Sequence, residues 1–224
     1  KVKPTFISRK DAVGIANGLA WTSVGGEMLP VEVAIIPGGS GKIEITGSLG
    51  DVMKESAQLA ISYARVHAEK YGIAADKLKT LDIHIHAPEG AVPKDGPSAG
   101  VTLTTALISA LSGYPVRHDL AMTGEITLHG NVLPIGGLKE KSMAAYREGI
   151  STVLIPKDNA VDLHEVGAEV KEKIRFIPVE QLSQVLKHAL IMPGQTASRA
   201  APAVPQATSL IAGEKAPKEP AAVM

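Results

Sequence analysis

The chain has 224 residues, a formal net charge of 0 at neutral pH and 45% hydrophobic residues. That length suits one main domain of roughly 190 residues plus a tail, and the balanced charge argues against a polybasic surface for nucleic acid. The absence of cysteine excludes disulfides, zinc fingers and cysteine nucleophiles, and is compatible with a reducing compartment. With one Trp and two Phe, the interior must be filled by Val, Ile, Leu and Ala. No run reaches the roughly 18 apolar residues of a membrane span. The basic start KVKPTFISRKD is not followed by the long apolar stretch of a signal peptide. The chain lacks an initiating Met and reads as a piece of something longer.

Residues 12–23 alternate weakly around Val13, Ile15, Leu19 and Trp21 and predict a strand, with Gly25-Gly26 as the turn after it. LPVEVAIIP, 29–37, is the next strand, ended by Pro37, Gly38 and Gly39. GGSGKIEIT faintly resembles a phosphate loop. It fails because Pro37 stands where Walker A needs Gly and Ile43 where it needs Ser or Thr. A hairpin turn before a strand at 42–46 is the better reading. Residues 51–71 have rough helical spacing, stopped at Tyr71-Gly72. LDIHIHAP, 81–88, is a strong strand, and the loop GAVPKDGP follows. Residues 98–112 predict a helix closed by Gly113. A short apolar segment at 120–123 leads to EITLHGNVLPIGG, a hairpin or strand-loop-strand. Residues 138–148 are helical, 151–156 a strand, LHEVGAEVKEKI a helix, IRFIPV the last strand and 180–191 the last helix.

Strands dominate first, and then strands and helices alternate. This predicts an α+β (mixed α/β) domain over residues 1–192, with a sheet covered by helices. From Pro193 the chain is dense in Ala, Pro, Ser and Gln. It buries too little to offset the entropy of ordering, so 193–224 is expected to be a flexible tail.

Two segments carry chemistry. PKDGPSAG, 93–100, puts Ser98 between a rigid loop and the start of a helix, and GGLKEK puts Lys141 near the start of another. A serine hydroxyl needs a base to attack a carbonyl. The chain offers no convincing Ser-His-Asp set, but it offers a lysine. Gly96 and Pro97 fix the backbone ahead of Ser98, Gly100 leaves room for close approach, and helix N–H groups there suit an oxyanion. Taken alone, an N-cap serine is the plainer reading of Ser98. An ordinary lysine titrates near about 10.4, so a general base near about 8 requires roughly 3 kcal/mol of destabilisation of its charged form. Burial supplies this, and a helix N-terminus adds to it. Lys141 shares a helix face with Leu138 and Ala145, whereas Lys139 points elsewhere. Alone, Lys141 reads more readily as a snorkelling lysine.

Taken together, PKDGPSAG and MTGEITLHGNVLPIGGLKEK resemble the proteolytic domain of the bacterial Lon family of ATP-dependent proteases. WTSVGGEMLPVE, TGSLGDVMKES, HIHAPEGAVPKDGPSAG and AAYREGISTVLIP extend the resemblance over roughly residues 10–191. It implies a fold like the second domain of a ribosomal protein family and a Ser-Lys dyad falling on Ser98 and Lys141. In that chemistry the lysine takes the serine proton, the serine attacks the peptide carbonyl, and water frees the acyl-enzyme. The resemblance further implies a serine endopeptidase acting on unfolded, damaged or regulatory proteins, a hexameric ring and a cytoplasmic setting. It places ATP and magnesium on an ATPase region of the full-length protein, and this chain carries no Walker motif. No cofactor, metal, membrane or nucleic-acid partner is expected for this domain. The rival readings are a non-catalytic ring-assembly module, opposed by the intact Ser98 and Lys141, and a nucleic-acid-binding domain, opposed by the balanced charge.

Four further residues are candidate supports. The hydroxyl of Thr123 suits the Lys141 amine, a place the resemblance also gives it, although a strand-end threonine bonding its own backbone fits as well. Asp95, three residues before Ser98, would raise the lysine pKa if it stood beside it. It therefore reads as a latch of an inactive loop, as an organiser of the active loop, or as a plain Asx-turn. His84 and His86 lie on one strand face. A metal site lacks a third local ligand, and His86 is a candidate for the polar wall of the site. Glu125 is the other nearby carboxylate, free to meet Lys141 or a neighbouring subunit.

Overall fold

Strands that carry apolar side chains on both faces demand a cover on each, and this sheet has both. The computed structural model describes residues 7–47, 49–88 and 95–194. Its chain order is β1 (Ile15–Thr22), β2 (Gly25–Pro37), β3 (Ile43–Thr46), α1 (Asp51–Val66), β4 (Leu81–His86), α2 (Gly100–Ser112), β5 (Leu120–Met122), β6 (Glu125–Ile126), β7 (Val132–Leu133), α3 (Leu138–Arg147), β8 (Thr152–Pro156), α4 (Ala168–Lys173), β9 (Arg175–Val179) and α5 (Leu182–Ala189). The main sheet has seven strands in the order β3-β4-β2-β1-β5-β8-β9, and β6 pairs with β7 apart from it. β1 is antiparallel to β2 and β2 to β4, whereas β1-β5, β5-β8, β8-β9 and β3-β4 are parallel. This is the α+β (mixed α/β) architecture that the element pattern predicts.

The two faces follow from the period of two along each strand. Ala16, Leu29, Val31, Leu120, Met122 and Leu154 join one core cluster, with residues of α1, α2 and α5. Leu19, Met28, Ala121, Val153 and Ile155 join the other, with residues of α3 and α4. Strand β8 is buried along its whole length, as a parallel strand covered on both faces must be. Both α2 and α3 pack on β1 and β2. They do so from opposite faces, so their N-termini come together only beyond the strand ends.

The structure moves some predicted boundaries. The turn between β1 and β2 is Ser23-Val24, since Thr22 pairs with Gly25, and Thr22 Oγ1 accepts from Val24 N–H at 3.3 Å. Gly26 is inside β2 because α3 lies against it. A Cβ there would stand 1.9 Å from Glu140 O and 2.9 Å from Lys141 N. The helix predicted to run to Tyr71 stops at Val66, and Ala68–Tyr71 forms a separate 3-10 turn. The predicted helix LHEVGAEVKEKI is split into a 3-10 segment, Lys157–Glu165, and α4. Val166 and Gly167 between them are extended, and Val166 is buried in the second core cluster. Glycine is a poor interior helix residue, and burial of Val166 decides the break. The glycine turn ahead of β3 is tied down by Asp82, whose Oδ1 accepts from Ser40 N–H at 2.9 Å and Lys42 N–H at 2.8 Å. The amides that a phosphate would need are therefore committed to a carboxylate. The expected flexible tail lies outside the described residues, apart from Pro193 and Gly194.

The close approach at Gly26 yields a stability prediction. Gly26→Ala forces β2 off α3 and should cost about 1–3 kcal/mol in chemical denaturation, the range for overpacking a core. Wild-type stability would show that the strand and the lysine helix are not in the stated contact.

Candidate active site

Ser98 is set by a 3-10 turn, Pro97–Ala99, that runs directly into α2. The helix proper begins at Gly100, and its N-cap position is Ala99, so Ser98 is not the cap of α2. The turn is fastened to the chain just after β5. Gly124 N–H donates to Ser98 O at 2.9 Å, and Val101 N–H donates to Gly124 O at 3.2 Å. Gly100 N–H is committed to Pro97 O.

Lys141 lies one turn into α3, its N–H donating to Gly137 O at 2.9 Å. It shares the buried face with Leu138, Ser142, Ala144 and Ala145, as the wheel predicts, and Lys139 is exposed. Lys141 is only 2% exposed and Thr123 only 1%. The amine donates to Thr123 Oγ1 at 3.1 Å, and burial pushes its pKa down to about 8. An ammonium stripped of water, with a neutral hydroxyl for a partner, is destabilised relative to the free amine. Thr123 and Gly124 thus do two jobs side by side: the hydroxyl of one holds the lysine and the amide of the other holds the serine turn.

Ser98 and Lys141 line one cavity of about 590 Å³, together with Trp21, Met53, Asp95 and Ile135. Trp21 is 59% exposed and lies against Gly137, where a Cβ would meet its ring at 2.7 Å. The segment leading to that glycine is clamped by a buried amide. Asn159 Oδ1 accepts from Ile135 N–H at 2.9 Å, and its Nδ2 donates to Ile135 O at 2.8 Å. Sequence reading missed Trp21, Met53 and Asn159 as site residues. Asn159 is 24 positions from Ile135, with no local pattern linking the two.

The other candidates are placed as follows. Asp95 lines the cavity but bonds away from the lysine. Its Oδ1 accepts from Met53 N–H at 3.1 Å and from Gly96 N–H at 3.0 Å. His84 and His86 do share a face, and both reach Thr46, whose Oγ1 is 2.9 Å from His84 Nε2 and 2.7 Å from His86 Nδ1. His86, at the end of β4, is thus bonded to Thr46 of the neighbouring β3 and is not among the described residues that line the cavity. Among the described residues, no group of three or more His, Cys, Asp or Glu side chains is arranged to hold a metal ion. Glu125 is on β6 opposite Leu133, outside the cavity lining.

A hydroxyl and a buried, partly neutral amine facing one cleft are the parts of an acyl-transfer site. Residues 1–192 match the description of the Lon protease C-terminal proteolytic domain. The chain belongs to the Lon protease family. It is 57% identical over 185 residues to a Lon protease of Clostridium acetobutylicum, covering 83% of this chain and 24% of that protein. It is 58% identical over 182 residues to a Lon protease of Brevibacillus choshinensis, covering 81% and 23%. A Lon protease 1 of Myxococcus xanthus is 57% identical over 183 residues, covering 82% and 22%. The chain therefore spans about a quarter of the length of the relatives it matches, and what it contains is a serine-type endopeptidase domain of α+β fold.

Burial of Lys141 makes stability depend on pH. The folded pKa lies near 8 against an ordinary 10.5, so the folded state binds fewer protons than the unfolded state between those values. The destabilisation is complete below pH 8 and is relieved as pH rises toward 10.5. Lys141→Met should raise unfolding free energy near pH 7 by up to about 3 kcal/mol and flatten its rise above pH 8. Denaturation curves across this range check it; a variant no more stable than wild type would show that the amine is not held against its charge.

Proposed function

We propose that Ser98 is the nucleophile of peptide-bond hydrolysis and Lys141 its general base, with Thr123 orienting the amine. The observation that carries this reading is the Lys141 amine, buried in the same cleft as Ser98 and, among the described residues, bonded only to a neutral hydroxyl. Thr123 Oγ1 occupies one N–H of the neutral amine and leaves its lone pair for the serine proton. As that proton moves to Nζ, Oγ attacks the substrate carbonyl. Pro97 has no N–H, and those of Gly100 and Val101 are bonded, so Ser98 and Ala99 supply the backbone donors for the oxyanion. The ammonium returns its proton to the leaving amine, and Lys141 then activates the water that releases the acyl group.

In the whole protein, this site serves an ATP-dependent protease that degrades unfolded, damaged or regulatory proteins. ATP and magnesium act outside this chain: its one loop resembling a phosphate cradle is filled by Asp82. A homo-oligomeric ring, hexameric by family resemblance, would enclose such sites and limit them to threaded chains. A cytoplasmic setting follows from the family resemblance alone; among the described residues no helix is long and apolar enough to cross a membrane.

Ser98→Ala should abolish peptide cleavage, by about 10³-fold or more, with an unchanged fold. Lys141→Ala should be nearly as severe and Lys139→Ala almost silent. Full activity of a contaminant-free Ser98→Ala chain would remove the nucleophile, and a larger loss at Lys139 would move the base. The pH profile of kcat/KM should rise through about 8, the value to which burial takes Lys141. A rise complete by about pH 6.5 would indicate a histidine instead.

A further inference from the structure

Helix α1 starts without a cap of its own. Its N-cap residue is Gly50, which brings no side chain to the first N–H groups, and those groups need partners. Asp95 provides one from 42 positions away, through Oδ1 to Met53 N–H, and the same oxygen accepts from Gly96 N–H. Gly50 has φ −70° and ψ 177°, a conformation open to any residue, so the backbone does not call for glycine. Space does. A Cβ at position 50 would stand 2.2 Å from Asp95 Cγ, 2.4 Å from its Oδ2 and 2.6 Å from its Cβ, and these are the three nearest atoms. A methyl group there would collide first with the carboxylate and expel it.

Only Gly96 and Pro97 separate Asp95 from Ser98. Past the serine hydroxyl, the turn is fixed by Gly124 N–H on Ser98 O. The nucleophile is thus pinned on both sides: to α1 through Asp95, and to the end of β5 through Gly124. We infer that Gly50 is a positioning residue: the bare start of α1 is the seat for Asp95, and occupancy of that seat sets Ser98 in line with Lys141. The inference rests on the Ser98-Lys141 reading and adds to it a site on a different helix. It makes Asp95 an organiser of the loop, with its charge directed to α1 and not to the lysine.

A double-mutant cycle tests this, read both as kcat/KM on a peptide and as the rate of Ser98 labelling by a fluorophosphonate. Gly50→Ala should lower both by about tenfold or more, with wild-type circular dichroism and labelling abolished only in the Ser98→Ala control. In an Asp95→Ala background the seat is already empty, and adding Gly50→Ala should change either rate by less than about twofold. Asp95→Asn keeps an acceptor oxygen and should retain at least about fivefold more activity than Asp95→Ala. Equal losses from Gly50→Ala in both backgrounds, or no loss in either, would overturn the inference. If Gly50→Ala fails to fold, the Asp95 pair decides: equal rates for Asn and Ala would overturn it. A Ser98→Ala chain that still cleaves would instead overturn the dyad reading, so the two failures are told apart.

Discussion

The buried amine of Lys141 is the constraint on which the rest of the site depends. A lysine with 2% of its surface exposed and, among the described residues, no carboxylate bonded to it is a defect by the rules of folding, and its desolvation costs about 3 kcal/mol. That is a sizeable fraction of the roughly 5–15 kcal/mol by which a domain of this kind is stable. The packing of α3 on β1 and β2 sustains it. Gly26 lets the backbone of β2 touch the first turn of α3, and Leu138 and Ala145 carry the same face into the second core cluster. In the mechanism proposed for Ser98 and Lys141 this strain is the source of the chemistry, because the same desolvation that destabilises the fold frees the lone pair.

The topology explains why one dipeptide organises both partners. Helices α2 and α3 cover opposite faces of the sheet, so the Ser98 turn ahead of α2 and the first turn of α3 meet only where the intervening strands have ended. Thr123 and Gly124 occupy that point, immediately past β5. Thr123 is itself anchored through its N–H to Leu154 O on β8. The site therefore inherits its geometry from a strand buried on both faces, a rigid base for side chains held to fractions of an ångström. The segment clamped by Asn159 and an exposed Trp21 complete the cleft.

Much of this was legible in the sequence because it is local. The alternation in LDIHIHAP predicts both the inward Ile83 and Ile85 and the outward His84 and His86. The spacing of Leu138, Lys141 and Ala145 predicts a buried lysine and an exposed Lys139, and Gly113 ends α2 in a left-handed conformation. Where the reading and the structure part, the deciding contact is distant in sequence. Gly25-Gly26 looks like a turn, but Gly26 is small because α3 is pressed against it. His86 looks like a wall of the site, but Thr46 on a parallel neighbour holds it. Gly50 looks like an ordinary helix start, and only the fold shows Asp95 filling the space its side chain would take. Close approach leaves no periodic trace, so it reads as generic turn chemistry until the partners are placed.

Burial lowers the pKa of Lys141 far enough to leave a useful fraction of the amine uncharged near neutral pH, and the most direct measurement of this is its own titration. A Ser98→Ala chain with 13Cε-labelled lysine, its Lys141 resonance assigned by comparison with Lys141→Met, reports this by NMR without turnover. The account predicts a Lys141 midpoint near 8, well separated from the surface lysines at about 10.4. A Lys141 resonance that titrates with the surface lysines would contradict it, because an ordinary ammonium cannot take the proton of Ser98 at neutral pH.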